Sequence, residues 1–223
     1  MNKTAIIIPS RLDALRLPNK PLKLINNKEM ILHVYEAAKK TNTGEVYVAT
    51  PDQKIIHIII SNGGKAVLTS LNHQTGTDRI YEVFKTKLKS EPNVIVNLQG
   101  DMPNIDPQAI TDLVSYMHKD QCDIGTLASS FSSESELIDE NNVKVAVKDK
   151  LATNIFQKAT DFFRAGVKNY KNFYHHVGIY AFTNKALVRY VSLERSKLEL
   201  KRKLEQLRAL ENDMSIHVGY ISS

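Results

Sequence analysis

Two hydrophobic patterns take turns along the first half of this chain: unbroken apolar runs, and apolar positions spaced three and four apart. Ala5-Ile6-Ile7-Ile8-Pro9 is an unbroken run, which suits a strand buried on both faces of a parallel sheet, so Thr4–Pro9 reads as the first strand. Glu29–Lys40 then reads as a helix with Met30, Ile31, Val34, Ala37 and Ala38 on one face. Val46–Thr50 is a second strand, and Asp52–Ser61 a second helix stopped by Asn62-Gly63-Gly64. Lys65–Thr69, Asp78–Leu88, Asn93–Leu98 and Pro107–His118 continue the series as strand, helix, strand and helix, the last with proline in its first turn. This alternation predicts an α/β fold with a doubly wound, mostly parallel sheet.

After Cys122 the pattern changes. Asp123–Ser129, Lys144–Lys148, Ala152–Lys158 and Gly178–Thr183 read as strands with few helices between them, a smaller mixed-strand flap. Ser132–Glu136 and Gly166–Asn172 read as loops. Leu198–Glu211 reads as one amphipathic helix, with Leu200, Leu204, Leu207 and Leu210 at helical spacing, for packing or for a dimer. The expected organisation is a single domain over residues 1–223, with halves 1–121 and 122–223.

Composition narrows the classes. Apolar residues make up 42% of the 223, enough for a core. The excess of 30 Lys and Arg over 24 Asp and Glu gives a net charge of +6, which suits an anionic small molecule but lacks the dense basic block of a dedicated nucleic-acid binder. A single cysteine, Cys122, excludes an internal disulfide and a cysteine zinc cluster. No stretch reaches the roughly 20 apolar residues of a membrane span, and the chain enters a strand at once without a secretory leader, so a cytoplasmic protein is expected.

Candidate chemistry follows the strands. Past Pro9 lie three cations, Arg11, Arg16 and Lys20, with Lys20 held between Pro18 and Pro21. Cations beyond a strand's carboxyl end suit a polyanion such as a triphosphate; the alternative is a solvated basic loop. His73-Gln74-Thr75-Gly76-Thr77-Asp78-Arg79 opens a helix and suits a base, ribose or phosphate, or else is a cap made by Thr77 with Asp78 in the first turn. Gln99-Gly100-Asp101-Met102-Pro103 puts a carboxylate after a strand, for Mg²⁺ on phosphates or for an Asx turn. His175 and His176 are adjacent before a buried strand; neighbours on a strand point to opposite faces, which argues against a two-histidine metal site and leaves one for substrate. Glu205 and Arg208 are three apart, close enough to pair on a helix.

Together these segments resemble the 3-deoxy-manno-octulosonate cytidylyltransferases (CMP-Kdo synthetases), within the nucleotidyltransferases of the GT-A-like fold. The resemblance rests on Pro9-Ser10-Arg11 with Arg16-Leu17-Pro18-Asn19-Lys20-Pro21-Leu22, on His73-x-Thr75-Gly76-Thr77-Asp78-Arg79 and on Gln99-Gly100-Asp101-x-Pro103. Asn141-x-Val143-Lys144-Val145, His176-x-Gly178-Ile179-Tyr180 and Leu204-Glu205-Gln206-Leu207-Arg208 complete it, in order over nearly the whole chain. It implies a cytidylyltransferase that joins CTP to 3-deoxy-D-manno-octulosonate (Kdo), giving CMP-Kdo and pyrophosphate for lipopolysaccharide biosynthesis. It further implies Arg11, Lys20, Gln99 and Asp101 at the reaction centre, with Asp101 on Mg²⁺. Arg11 and Lys20 with His73, Thr75, Gly76 and Arg79 would hold the nucleotide in the first half. Lys158, His176, Tyr180, Glu205 and Gln206 would hold the sugar in the second, and the late leucines a homodimer, with neither nucleic acid nor membrane as partner.

The chain departs from the family's pattern in places. Ala14-Leu15 stands for a pair of hydroxyl residues, Met102 for an acidic residue, Lys158 for an arginine in a Ser-Arg-Ala-x-x-Pro segment, and Arg202 for a glutamate. The resemblance also implies a Val-Asp-Thr-x-x-Asp-Leu segment and a last helix past Ile216–Tyr220, whose aspartate would be a second Mg²⁺ ligand; the early stop at Ser223 is expected to leave Asp101 the protein's carboxylate on the metal and to expose apolar core surface. Two other readings stand beside the enzyme: a diverged copy that binds nucleotide without turnover, and a basic nucleic-acid-binding protein using Arg195–Arg208.

Overall fold

The computed structural model describes residues 3–13, 18–119, 122–166 and 170–222, so Ala14, Leu15, Arg16 and Leu17 of the opening motif, and part of the Gly166–Asn172 loop, lie outside the described residues. Two compact units are present, Met1–His118 and Lys119–Ser223.

The first unit is built on β1 (Thr4–Pro9). A short 3₁₀ turn (Lys20–Leu22) and a hairpin, β2 (Leu24–Ile25) and β3 (Lys28–Glu29), lead into α1 (Met30–Lys40). Then come β4 (Glu45–Thr50), α2 (Gln53–Ser61), β5 (Ala66–Leu68), α3 (Gly76–Thr86), β6 (Val94–Asn97) and α4 (Pro107–Lys119). The strands run parallel in the order β5-β4-β1-β6, with Ile6 opposite both Val46 and Val96. Ile6, Ile7 and Ile8 are fully buried, as the unbroken run predicts. Successive strands move outward from β1 through β4 to β5, and the chain then returns to the other side of β1 for β6. The end of β1 beside β6 is therefore a topological switch point, where ligands of α/β sheets sit.

Two details differ from expectation here. Glu29 pairs with Leu24 in the hairpin rather than starting α1, because Asn26 and Asn27 both take positive φ (50° and 63°) and close a tight turn. α3 starts at Gly76, and Thr75, not Thr77, is its cap, its hydroxyl accepting from the Asp78 N–H at 3.1 Å. Thr77 is buried and accepts from Asn97 Nδ2 at 3.3 Å.

The second unit comprises β7 (Ile124–Ser129), α5 (Glu134–Ile138), β8 (Lys144–Val147), β9 (Gln157–Phe163), β10 (Phe173–Thr183), α6 (Asn184–Ser192), α7 (Lys197–Arg202), α8 (Leu207–Glu211) and β11 (Ile216–Tyr220). Its strands are mixed, with β7 parallel to β11 and antiparallel to β10. β10 is long enough to pair with β7 over one stretch and β8 over another, so β10-β7-β11-β9-β8 closes into a circuit. Ile179, Phe162, Val145 and Val218 are fully buried within it.

Four expectations are corrected in this unit. Ala152–Lys158 is not a strand: Asn154 has φ 62° in a tight bridge between Ala152 and Ile155, and β9 starts only at Gln157. Ser132–Glu136 is not all loop, because Ser133 caps α5 by accepting from the Glu136 N–H. β10 begins at Phe173, so His175 and His176 lie within the strand. The single helix over Leu198–Glu211 is two helices, broken where Lys203 takes φ 54°. Along an unbroken helix, residues nine apart lie on opposite faces about 13 Å apart along the axis. The break instead brings Arg208 onto Glu199, with bonds of 2.6 and 2.9 Å, rather than onto Glu205.

Candidate active site

Beyond the ends of β1 and β6 lies a cleft of about 260 Å³ lined by the β1 exit (Ser10, Arg11), the 3₁₀ turn (Lys20), the start of α3 (His73, Thr75, Gly76, Arg79) and the β6 exit (Gln99, Gly100, Asp101). It gathers all the nucleotide-side residues expected from the sequence. Two glycines let these segments converge. A Cβ on Gly76 would come 3.1 Å from Pro9 Cγ, and one on Gly100 would come 3.0 Å from the Pro9 carbonyl oxygen. Either would push apart the end of β1 and the segment beside it.

The floor of the cleft is electropositive and fixed. Arg79 is buried and donates from Nη1 to Thr69 Oγ1 at 2.5 Å and to the Ser70 carbonyl at 2.9 Å, both neutral partners. Burial, and then the charge of Arg11, pull its pKa below the usual guanidinium range. Arg79 is therefore a buried cation that an incoming anion would relieve. The N-terminus of α3, at Thr75 and Gly76, adds the positive end of the helix dipole. His73 Nε2 is bound to Glu82, whose carboxylate also accepts from the Ser70 N–H, and this holds the ring in place. Lys20 Nζ and Asp101 Oδ2 are 2.6 Å apart, so the ammonium and the carboxylate reach the same point. Gln99 Nε2 donates to Asn97 Oδ1 at 3.1 Å. Ser10, given no role from the sequence, also lines the cleft; its hydroxyl is buried and has no hydrogen-bond partner among the described residues. Its place directly after an all-apolar strand and before Arg11 was the available signal.

No group of three or more His, Cys, Asp or Glu that could cage a metal occurs among the described residues. Asp101 offers one carboxylate, half exposed. That donor set fits Mg²⁺, which is commonly held by one or two carboxylates together with substrate phosphates and water.

In the second unit, Tyr180 packs on His176 with ring centroids 5.4 Å apart. Burial, then the Glu205 carboxylate, push the Tyr180 phenol above its usual range, so the three groups share one environment. The hydroxyl of Thr126 spends its one proton on the Ile179 carbonyl at 2.6 Å, so His176 Nε2–H must donate to Thr126 Oγ1 at 3.0 Å. His176 is a buried neutral imidazole; burial, then His175, pull its pKa down to about 3. His175 points elsewhere, stacked on Phe131 with Nδ1 3.1 Å from Glu136 Oε1. Gln206 is buried, and the Tyr190 hydroxyl donates to the Glu205 carbonyl at 2.9 Å. Lys158 is exposed on β9, in register with His217 of β11.

The whole arrangement has close relatives. A sequence model described as cytidylyltransferase matches residues 5–216. The 3-deoxy-manno-octulosonate cytidylyltransferase of Rhodopseudomonas palustris (strain BisB5) is 41% identical over 99% of this chain and 90% of its own. That of Brucella ovis is 40% identical over 99% and 88%. A solved CMP:2-keto-3-deoxy-manno-octonic acid synthetase complexed with CTP superposes with a TM-score of 0.88 at 35% identity, over 99% of this chain and 90% of that one. A UDP-glucose pyrophosphorylase complexed with UDP-glucose, at 11% identity and a TM-score of 0.71, shares the fold alone. With a cationic cleft at the switch point and relatives matched over 99% of this chain and about nine-tenths of their own length, the chain belongs to the 3-deoxy-manno-octulosonate cytidylyltransferase family.

Proposed function

We propose that this chain transfers the cytidylyl group of CTP to the anomeric hydroxyl of Kdo, releasing pyrophosphate, in the supply of activated Kdo for lipopolysaccharide. The observation that carries the reading is the convergence of Arg11, Lys20, buried Arg79 and the α3 N-terminus on one cleft that also holds Asp101. In the reaction the sugar oxygen bonds to the α-phosphorus, the bond from that phosphorus to the β-phosphate oxygen breaks, and the hydroxyl proton is lost. The task is to hold two anions together and to neutralise charge growing on the leaving pyrophosphate. Arg11 and Lys20 hold the phosphates, Arg79 and the α3 N–H groups add fixed positive potential, and His73, Thr75 and Gly76 meet the nucleoside side. The buried hydroxyl of Ser10 has a proton to give to the same ligand. Asp101 would hold Mg²⁺ together with the phosphates, and Gln99 orients beside it; when bound, the ion spreads phosphate charge and brings reactants into register.

The sugar is assigned to the second unit. Tyr180, Glu205 and Gln206 offer hydroxyl, carboxylate and amide groups to its hydroxyls, Lys158 answers its carboxylate, and His176 backs Tyr180. A homodimer is part of the proposal; of the late leucines Leu204 and Leu207 are buried within their own unit and Leu210 is half-buried, so Leu200, 57% exposed, is the one most open to a partner. Arg202 and Arg208 are spent on Asp161 and Glu199, which weighs against a nucleic-acid face over Arg195–Arg208. Among the described residues no helix is long and apolar enough to cross a membrane. The test is calorimetric titration of CTP with Mg²⁺ into the unaltered chain and into Arg11→Ala. Loss of CTP affinity by about tenfold or more is expected in the variant, with Kdo binding retained; equal loss of both ligands would remove Arg11 from the nucleotide site.

A further inference from the structure

We propose that the Asp161–Arg202 ion pair is a strut that braces the two sugar-facing segments of the second unit against each other, making Asp161 and Arg202 positioning residues for the acidic sugar. The inference rests on the reading that Lys158, Glu205 and Gln206 face that sugar. Arg202 closes α7, and its Nη1 lies 2.7 and 2.8 Å from the two carboxylate oxygens of Asp161 and 2.8 Å from the Phe162 carbonyl oxygen. The Tyr170 hydroxyl donates to the same carboxylate. The ion pair therefore joins β9 three residues after Lys158 to the late segment three residues before Glu205.

Between Arg202 and Glu205 the chain leaves its helical path at Lys203, whose φ of 54° is a conformation a lysine side chain disfavours. A segment in that state stays in place only when its surroundings over-determine it. Three contacts do so here. Arg202 ties the front to Asp161, the Tyr190 hydroxyl ties the Glu205 carbonyl, and Arg208 ties the rear to Glu199. The last two lie at residues within or beside Leu204-Glu205-Gln206-Leu207-Arg208. The first is built from one departure from the family pattern, arginine at 202 where a glutamate is expected, and from aspartate at 161, a position the pattern leaves open. The reversed charge at 202 is answered by an opposite charge at 161, and its guanidinium is committed to Asp161 and the Phe162 carbonyl, not offered to the ligand. Partial burial of both side chains, 32% and 18% exposed, protects the pair from the screening that weakens surface pairs.

The test is steady-state kinetics of pyrophosphate release with separate CTP and Kdo titrations, alongside hydrogen exchange of the 204–207 amides. Arg202→Glu restores the family's charge and sets two carboxylates face to face. It is expected to raise the KM for Kdo about tenfold, since small misplacements of a binding group carry large penalties. The KM for CTP should stay within about twofold, and exchange at 204–207 should quicken. Exchanging the charges, Asp161→Arg with Arg202→Glu, should recover most of the loss and slow exchange again, and Arg202→Lys should fall between. An unchanged KM for Kdo in Arg202→Glu, or equal rises for both substrates that the exchanged pair does not recover, overturns the strut while leaving the assigned reaction in place. An unaltered chain that binds CTP but neither binds nor turns over Kdo overturns the sugar reading, and the strut's role with it.

Discussion

Replacing Glu199 by alanine is the sharpest perturbation of the second unit. Glu199 and Arg208 are 7% and 5% exposed at the side chain, with bonds of 2.9 Å to Nε and 2.6 Å to Nη2. Arg208 also lies over the Tyr190 ring at 4.8 Å, so it cannot swing into water when its partner is removed without giving up that packing. Breaking one side of a buried pair leaves an uncompensated charge, which costs about 3–5 kcal/mol. The reciprocal capping bond from the Ser196 N–H to Glu199 Oε2 is lost as well. Domains are stable by only about 5–15 kcal/mol, so the loss is a large fraction of the whole. At this chain length each kcal/mol moves Tm by about 2–4 °C, which predicts a fall of about 6–20 °C. The assay is urea and thermal unfolding followed by circular dichroism. Lys28→Ala, which removes the exposed pair to Glu36, is the control and should cost less than about 1 kcal/mol. A double change of Glu199 and Arg208 to leucine should recover part of the loss, because no lone charge remains. A loss below about 1 kcal/mol in Glu199→Ala would refute the view that this pair holds the late segment in place.

Other outcomes are equally definite. His176 has a folded pKa near 3 and an ordinary unfolded value of 6.5, so the unfolded chain takes up its proton first as pH falls. Stability should therefore be full above about pH 6.5 and fall by about 2 kcal/mol by pH 5 from this group alone. His176→Gln should flatten that part of the slope, and an unchanged slope in urea titrations at pH 5 to 8 would assign it elsewhere. Asp101→Asn should leave Tm nearly unchanged, since its ion pair with Lys20 is solvent-exposed, while turnover with Mg²⁺ falls on the order of 100-fold or more. Turnover unchanged in that variant would take Asp101 out of the reaction centre.

The first unit was readable because its strands are buried on both faces: Ile6, Ile7, Ile8 and Ile95 leave no polar interruption to confuse the period. The second unit was harder for three physical reasons. β9 and β10 are only half buried, so their apolar runs are broken and their ends are blurred. Short helices hide in polar stretches, although Ser133 three before Glu136 and Ser196 three before Glu199 are capping signatures that sequence alone displays. α6 carries just Ala186, Leu187 and Tyr190 on its buried side, too few to show a period. The break at Lys203 had no local signal, because lysine is a good helix former; it follows from the long-range tie between Glu199 and Arg208. In the cleft, residue types and their places after strands made Arg11, Lys20, Arg79 and Asp101 candidates, each with a plain structural alternative, and the family resemblance was needed to set them in one site. That Lys20 meets Asp101, and that Arg79 rests on neutral oxygens, depends on tertiary packing that no local pattern displays.

The measurement that bears most directly on the account is pyrophosphate release by the purified chain with CTP, Kdo and Mg²⁺, with the sugar product identified by phosphorus NMR. The account predicts release that requires all three components and yields one phosphodiester-linked cytidylyl sugar. Binding of CTP without any release, or release that proceeds equally without Kdo, would contradict it.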